Sequence, residues 1–302
     1  TMGGPSWVRG APVGWAAVDE KEVRDAIDYA LEQGVNHFDN ADVYGDGKAE
    51  RLLAKILGSR SKDVIIATKV GHAWGTAGHP YEPQHIRQQC EQSLINLKRD
   101  TIDLYYFHHG NFGPNDQYLD AALEVMHQLQ SEGKIRLIGL SAYSNRDFLR
   151  LAPKIKPTVL QSWAHIMDDH FIGTGQPVRK LLEATGMSFV TFSPLNQGLL
   201  LHKFTAQKPP RFVDGDNRQG KEKFSRAALE ILEPRLNKLE TRFGSSIESL
   251  ARIALQYLLA VPEVGAVIPG FRNLNQVKIN LAAQDQPLTP DEIKFIRSVF
   301  KK

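Results

Sequence analysis

The sequence predicts an α/β fold, a (β/α)8 barrel. Three features predict it: short Val- and Ile-rich apolar runs, amphipathic stretches between them, and polar residues at the C-terminal ends of those runs. The runs are Val35–Phe38, Val64–Ala67, Ile102–Phe107, Leu137–Leu140, Thr158–Leu160, Ser188–Phe192 and Val264–Ile268. Apolar runs this short suit strands buried on both faces. Regular alternation with helices implies a parallel sheet, and so many units imply closure into a barrel.

The helices follow from periodicity. Val23, Ile27, Ala30 and Leu31 mark the first, with Asp19 as its cap and Gly34 as its stop. Ile86, Cys90, Leu94 and Leu97 mark another. Leu119, Leu123, Met126 and Leu129 mark a third, ended by Gly133. Ile247, Leu250, Ala251, Ala254, Leu255 and Leu258 repeat the pattern near the C-terminus. Lys203–Phe224 is polar, with Pro209-Pro210 and several glycines, and reads as a long loop after the seventh strand of the barrel. Loops of that length are usually functional or disordered. Leu229–Phe243 reads as an extra helix, and the fold is expected to carry an additional helix at its C-terminal end.

Seven runs are visible, whereas the barrel needs eight strands. Thr1-Met2-Gly3 reads as the last residues of a strand whose start lies upstream. Residues 1–302 are expected to form a single barrel domain, without the start of its first strand and the preceding hairpin.

Composition narrows the function classes. A formal net charge of +3 over 302 residues gives no electrostatic case for a nucleic-acid partner. The single cysteine, Cys90, leaves no internal disulfide framework and no thiolate metal cluster. Its place on an apolar helical face predicts a buried, inert thiol. No apolar run is long enough to span a membrane and no secretory leader pattern opens the chain, so a cytoplasmic protein is expected.

In parallel barrels, reactive groups gather at the C-terminal strand ends. Here Asp39, Lys69, His108, His109, Ser141 and Gln161 stand at those ends. Each alone has an ordinary reading as a satisfied polar group at a sheet edge. Their common location favours a site.

At Phe38-Asp39-Asn40-Ala41-Asp42-Val43-Tyr44-Gly45 the sequence resembles the aldo-keto reductase family, with an Asp and a Tyr five positions apart followed by Gly. The resemblance continues in order. It takes in Ala67-Thr68-Lys69, Asp103-Leu104-Tyr105-Tyr106-Phe107-His108, and Gly133-Lys134-Ile135-Arg136 leading to Gly139-Leu140-Ser141. It then passes through Phe192-Ser193-Pro194-Leu195 with Gly198-Leu199-Leu200, and Ile268-Pro269-Gly270 with Arg272, Gln276 and Asn280. It is closest to the bacterial and channel-β-subunit-like branch.

The resemblance implies reduction of an aldehyde or ketone to an alcohol by hydride from NADPH. Hydride arriving at a carbonyl carbon leaves charge on oxygen, so a proton donor must stand beside it. Tyr44 is the implied general acid. A phenol with a pKa of roughly 10 is sluggish at neutral pH, and a nearby ammonium lowers that pKa. Lys69 is implied as that tuner, Asp39 as its anchor, and His108 as the group orienting the substrate oxygen. Side chains alternate along a strand, so only one of His108 and His109 faces the reacting oxygen, and the resemblance to the family's histidine strand implies His108.

No G-x-G-x-x-G fingerprint follows an early strand. The resemblance instead places the nicotinamide nucleotide across the barrel mouth. Ser141 and Gln161 would hold the carboxamide and Phe192 would stack on the ring. Ser193, Leu195, Gly198 and Gly270 would belong to the nucleotide-binding loops, with the Lys203 loop as a strap. Arg272, just before a helix beginning near Asn273, offers a guanidinium beside a helix N-terminus, which favours a 2′-phosphate and hence NADPH. Gln276 and Asn280 would meet the adenine.

The pattern is broken in places. Ala142 stands where the family usually has Asn beside the carboxamide, and Gln161-Ser162-Trp163-Ala164-His165 is an unusual pocket wall. Trp7, Trp15, Trp74, His109 and Trp163 are candidates for walls around a small-molecule carbonyl substrate. Two other functions share these residues. One is an NADPH-binding regulatory or redox-sensing subunit on the same fold. The other is a metal-dependent hydrolase drawing on His72, His79, His108, His109 and Asp39, which the absence of a His-x-His pair at an early strand end disfavours. No metal is expected.

Overall fold

The computed structural model describes residues 2–8, 10–282 and 284–300. A short antiparallel hairpin, β1 (Trp7–Val8) and β2 (Ala11–Pro12), comes first. Helix α1 (Glu20–Glu32) follows, with Asp19 accepting a hydrogen bond from the Glu22 N–H as its cap. Its buried residues Val23, Ala26, Ile27 and Ala30 recur at helical spacing.

The chain then alternates strand and helix. In order come β3 (His37–Asp39), α2 (Lys48–Leu57), β4 (Ile65–Val70), α3 (Pro83–Leu97), β5 (Ile102–Phe107), α4 (Leu119–Ser131) and β6 (Ile135–Ser141). They are followed by α5 (Asn145–Ile155), β7 (Val159–Trp163), α6 (Pro177–Thr185) and β8 (Ser188–Phe192). After a long loop come α7 (Arg226–Phe243), α8 (Ile247–Leu259), β9 (Val264–Ile268), α9 (Leu274–Leu281) and the terminal α10 (Pro290–Phe300).

Strands β3 to β9 form one parallel sheet in sequence order. It curves into a nearly closed barrel of seven strands, with β3 and β9 at its two unpaired edges. The eighth position between them holds no strand among the described residues. Thr1 lies outside the described residues. Met2 and Gly3 are not in a strand; Met2 is buried in the core, and Gly3 packs against the backbone of Tyr44 and Gly45. Across the seam, α1 meets α9 through Ala26, Ala30 and Val277, and Phe38 meets Phe271 edge to face at 6.1 Å.

Alternation along the strands separates two cores. Ala67, Leu104, Tyr106, Val159 and Val190 point inward and fill the barrel. Ile66, Tyr105, Phe107, Ile138, Leu140, Leu160 and Phe189 point outward under the helices. Tyr106 dictates Gly139 on the neighbouring strand, because a Cβ there would lie 2.3 Å from the tyrosine ring. Cys90 is fully buried on α3, and burial pushes its thiol up to about 12, as expected of an inert thiol.

The polar stretch after β8 is the expected long loop, bounded by single turns at Asn196–Leu201 and Glu222–Phe224. Periodicity had marked no helix at α2, α5, α6 or α10. Among the described residues no helix is long and apolar enough to cross a membrane.

Candidate active site

The inward-facing register continues upward to build the site. Two residues above Ala67 comes Lys69, above Tyr106 comes His108, above Val159 comes Gln161, and above Val190 comes Phe192. Asp39 closes β3 and Ser141 closes β6. The strand pairings Asp39↔Ala67 and Ser141↔Gln161 bring these ends to one mouth. Tyr44 arrives from the β3–α2 loop. That loop is pinned by the facing glycines Gly3 and Gly45. Gly45 adopts φ +62, and a Cβ on it would meet the Gly3 carbonyl oxygen at 2.4 Å.

The mouth opens into a cavity of about 1210 Å³. Asp39, Tyr44 and His108 line it, as do Gly270, Arg272, Gln276 and Asn280. Ser141, Gln161, Phe192, Ser193, Leu195 and Gly198 line it too. Of the aromatic residues assigned to a substrate wall, Trp15 lines this cavity. Trp7, Trp74, His109 and Trp163 do not line it. The ring of Trp7 packs on Gly215, and Trp163 donates through Nε1 to Asp168 Oδ2 at 3.1 Å. His109 points outward, with Nε2 2.8 Å from the Gly71 carbonyl oxygen and Nδ1 accepting from the Asn111 N–H at 3.2 Å.

Lys69 lies buried beneath the mouth, ion-paired to Asp39 Oδ1 and donating to the Asn40 carbonyl oxygen. Gln161 donates through Nε2 to Asp39 Oδ2 at 2.8 Å. The Lys69 ammonium is 5.4 Å from the centre of the Tyr44 ring. That charge is not enough to bring the phenol below its ordinary value. Enclosure, then the carboxylates of Asp39 and Asp42, push the Tyr44 hydroxyl well above its ordinary value. The ammonium's field is largely matched by Asp39, and burial then decides the direction. The hydroxyl makes no hydrogen bond among the described residues, so its proton is available to a ligand.

His108 stands beside Tyr44, ring centres 6.1 Å apart. Burial, followed by His72 and Lys69, holds its pKa well below the ordinary histidine range, so the ring is neutral at neutral pH. Its Nδ1 is buried without a hydrogen-bond partner. A neutral imidazole beside a protonated phenol is chemically able to hydrogen-bond an oxygen placed between them.

The cavity also has a cationic lining. Arg272 lines the cavity and, among the described residues, has no carboxylate within ion-pair distance. Burial and the nearby Arg218 lower its pKa. Asn273 caps α9 by accepting from the Gln276 N–H. Gln276 accepts from the Arg272 N–H at 3.0 Å and Asn280 donates to the Gly270 carbonyl oxygen at 2.9 Å, so both shape this loop as well as line the cavity.

Sequence reasoning missed Arg218 and Lys221, which reach the same cavity from the long loop. Arg218 pairs with Asp216 and stacks on Trp15 at 4.8 Å and on Phe212 at 4.3 Å. The Asn217 N–H bonds to the Gly14 carbonyl oxygen, tying the loop to the segment after the hairpin. The polar composition marked the loop, but an irregular segment has no periodicity to say which side chains turn inward. Sequence reasoning also missed His72 and Tyr143 as cavity residues, although both lie just past strand ends. Ala142 is fully buried and hydrogen-bonds only through its backbone, to Gln161 and Ser162, so its side chain offers nothing to the mouth.

Among the described residues no group of three or more His, Cys, Asp or Glu side chains is placed to hold a metal ion.

A family model of the aldo/keto reductase family matches residues 9–301. The uncharacterized oxidoreductase YqkF of Bacillus subtilis is 30% identical over 94% of this chain and 89% of its own length. Two solved structures share the architecture. The glycerol dehydrogenase AKR11B4 from Gluconobacter oxydans is 25% identical, with a TM-score of 0.77 over 99% of this chain and 88% of that one. The holo form of the aldo-keto reductase AKR11C1 from Bacillus halodurans is 26% identical, with a TM-score of 0.72 over 99% and 96%. Strand-end geometry, cavity and sequence likeness converge: the chain belongs to the aldo/keto reductase family of oxidoreductases.

Proposed function

We propose that this protein, acting as a single barrel domain in the cytoplasm, reduces an aldehyde or ketone to an alcohol with NADPH. One observation carries the reading. Tyr44, His108 and Asp39, the last paired with Lys69, line one cavity together with Arg272, which among the described residues has no carboxylate at ion-pair distance.

The residues present fit a nicotinamide dinucleotide. The cavity exceeds the roughly 300–1,000 Å³ usual for small-molecule pockets. The Ser141 hydroxyl is buried without a partner in the cavity lining, as a carboxamide contact would require. Gln161 keeps its Oε1 for the same amide while its Nε2 serves Asp39. Phe192 offers a ring face to the nicotinamide, and the Ser193, Leu195 and Gly198 loop lines the same cavity. Arg272, with Arg218 and Lys221, suits a 2′-phosphate over a bare ribose hydroxyl.

Bound NADPH would supply the hydride. The protein's share is position and the proton. His108 and Tyr44 hold the carbonyl oxygen between them. As negative charge grows on that oxygen, the Tyr44 hydroxyl gives up its proton to it. Lys69, fixed by Asp39 and Asn40, stabilises the phenolate left behind. That stabilisation works against burial and the neighbouring carboxylates, which keep the phenol protonated in the resting enzyme.

The test is loss of reduced-nicotinamide absorbance with a panel of small aldehydes and ketones, for the wild type and Tyr44→Phe. The expected result is turnover that falls by a factor of about 100 or more in the variant, within the usual range for a general acid, with NADPH binding retained. Turnover unaffected by the substitution overturns Tyr44 as the acid. Tight NADPH binding without turnover on any carbonyl favours the regulatory reading.

A further inference from the structure

A second cleft, of about 540 Å³, lies among the helices outside the sheet, lined from α6, α8 and α10. It shares no lining residue with the barrel-mouth cavity. Helix α8 serves both: Leu255 and Leu259 line the mouth cavity, whereas Tyr257 and Ala260 line the cleft. Nothing in carbonyl reduction calls on it.

The cleft has cations in its wall and, among the described residues, no carboxylate. Lys294 and Arg297 stand one turn apart on α10, so their side chains are neighbours. Neither has a carboxylate at ion-pair distance among the described residues. Arg179 of α6 also lines the cleft, but Glu183 and Glu263 match its charge at 3.0 and 3.2 Å, and neither of them lines it.

Two free cations on a surface helix are ordinarily a solvated face. Arg297 differs because it is held in place. Its Nε donates to the Tyr257 hydroxyl oxygen at 3.1 Å, and its guanidinium carbon lies 5.6 Å from the centre of the Tyr257 ring. Tyr257 is 3% exposed and donates in turn to Asp169 Oδ2 at 2.6 Å. A buried phenol therefore commits its proton and a lone pair to orienting one guanidinium. The terminal nitrogens of Arg297 make no hydrogen bond among the described residues. A guanidinium fixed in advance loses little freedom when it takes up a ligand. The Thr174 hydroxyl is another donor in the lining, and Val261, Pro290 and Ile293 supply apolar surface.

We propose that this cleft binds a phosphate monoester with a compact apolar body, held by Arg297 as a fork and by Lys294 as a point charge. Two uncompensated cations match the charge of roughly −2 on such a phosphate, whereas a carboxylate would leave one of them unmatched. The apolar residues would cover the ester group.

Phenyl phosphate is the probe, with inorganic phosphate and benzoate as comparisons, titrated calorimetrically into the wild type, Lys294→Ala, Arg297→Gln and Arg272→Ala. The last variant separates the cleft from the cationic lining of the barrel mouth. The expected result is phenyl phosphate binding with a Kd below about 1 mM that persists in Arg272→Ala and weakens about tenfold in Lys294→Ala and in Arg297→Gln, the loss of one charge-assisted contact. No binding in the wild type overturns the site. So does binding that is lost in Arg272→Ala and kept in Lys294→Ala, which puts the anion at the barrel mouth. Inorganic phosphate or benzoate binding as tightly as phenyl phosphate overturns the ligand class. Lys294 is exposed and makes no ion pair among the described residues, so its variant keeps the test decisive should Arg297→Gln, which frees a buried phenol, fail to fold.

Discussion

Gln161 on β7 donates a hydrogen bond to Asp39 Oδ2 on β3 at 2.8 Å, from the opposite wall of the barrel mouth. The other carboxylate oxygen is held by Lys69. Both oxygens of a buried carboxylate are therefore committed, and the ion pair cannot rotate. Gln161→Met keeps the side-chain length and removes the donor. Leaving one oxygen of a buried charge unsatisfied costs about 1–3 kcal/mol. The expected outcome is a lower thermal midpoint and a fall in kcat larger than any loss in NADPH affinity. Calorimetry and steady-state kinetics check it. A variant that loses cofactor affinity and keeps kcat would mean that Gln161 serves the carboxamide alone.

Much of this site was legible because periodicity and strand ends are local properties. Ile102–Phe107, Ser188–Phe192 and Val264–Ile268 are strands with the bounds their apolar runs suggested. Alternation required that only one of His108 and His109 face the mouth, and the family motif chose His108. The family motif supplied the roles that composition could not. What escaped depends on contacts between distant segments. Trp163 turned to Asp168 and Trp7 to Gly215, choices no spacing encodes. The direction of the Tyr44 shift escaped too, because it is a balance between one ammonium, two carboxylates and burial, set by three-dimensional placement. Helix α2 was hidden because its start, Gly47 with φ +72, carries no side-chain cap to announce it.

Cofactor choice should follow the cationic lining of the cavity. Arg272 has no carboxylate at ion-pair distance among the described residues, whereas Arg218 is already paired with Asp216. Removing Arg272 therefore deprives a 2′-phosphate of its least compensated partner. Arg272→Ala is expected to weaken NADPH binding by about tenfold or more, a loss of about 1.5–3 kcal/mol for a charge-assisted hydrogen bond, and to leave NADH binding nearly unchanged. Fluorescence titration with both nucleotides measures it. Equal weakening of the two would assign Arg272 to the part they share.

Acid should unfold the protein through its buried imidazoles. His72 and His165 are held at about 4, chiefly by burial, and His108 is held well below its ordinary value. In the unfolded chain each takes up a proton near pH 6.5, whereas in the folded chain each remains neutral to about pH 4 or lower. Stability is thus full above about pH 6.5 and falls as pH drops towards 4, by up to about 1.4 kcal/mol per pH unit for each histidine. His165→Asn, which removes a ring whose Nδ1 is buried without a partner, should make that fall shallower by close to one proton. Urea titrations at a series of pH values give the slope. A flat profile between pH 4 and 6.5 would mean that the rings are hydrated in the folded state.

The position of Tyr44 depends on two glycines that the sequence places far from one another in any local sense. Gly45 holds φ +62, and its Cα lies so close to Gly3 that a methyl group would meet the Gly3 carbonyl oxygen at 2.4 Å and its Cα at 2.8 Å. Gly45→Ala meets two penalties at once: a left-handed backbone costing about 1 kcal/mol for a non-glycine residue, and a clash with main chain that no rotamer change relieves. The segment at Gly3 must move, or the loop carrying Tyr44 must. The expected outcome is a stability loss of about 2–4 kcal/mol, at the upper end of single-residue effects, with turnover reduced at least about tenfold because the phenol leaves the side of His108. NADPH affinity should change less, since neither Arg272 nor the loop after β8 is among the atoms a Gly45 methyl group would meet. A Gly45→Ala enzyme with wild-type midpoint and turnover would show that the Gly3 segment yields freely and that Tyr44 is positioned by its contacts with His108 and Lys69 instead.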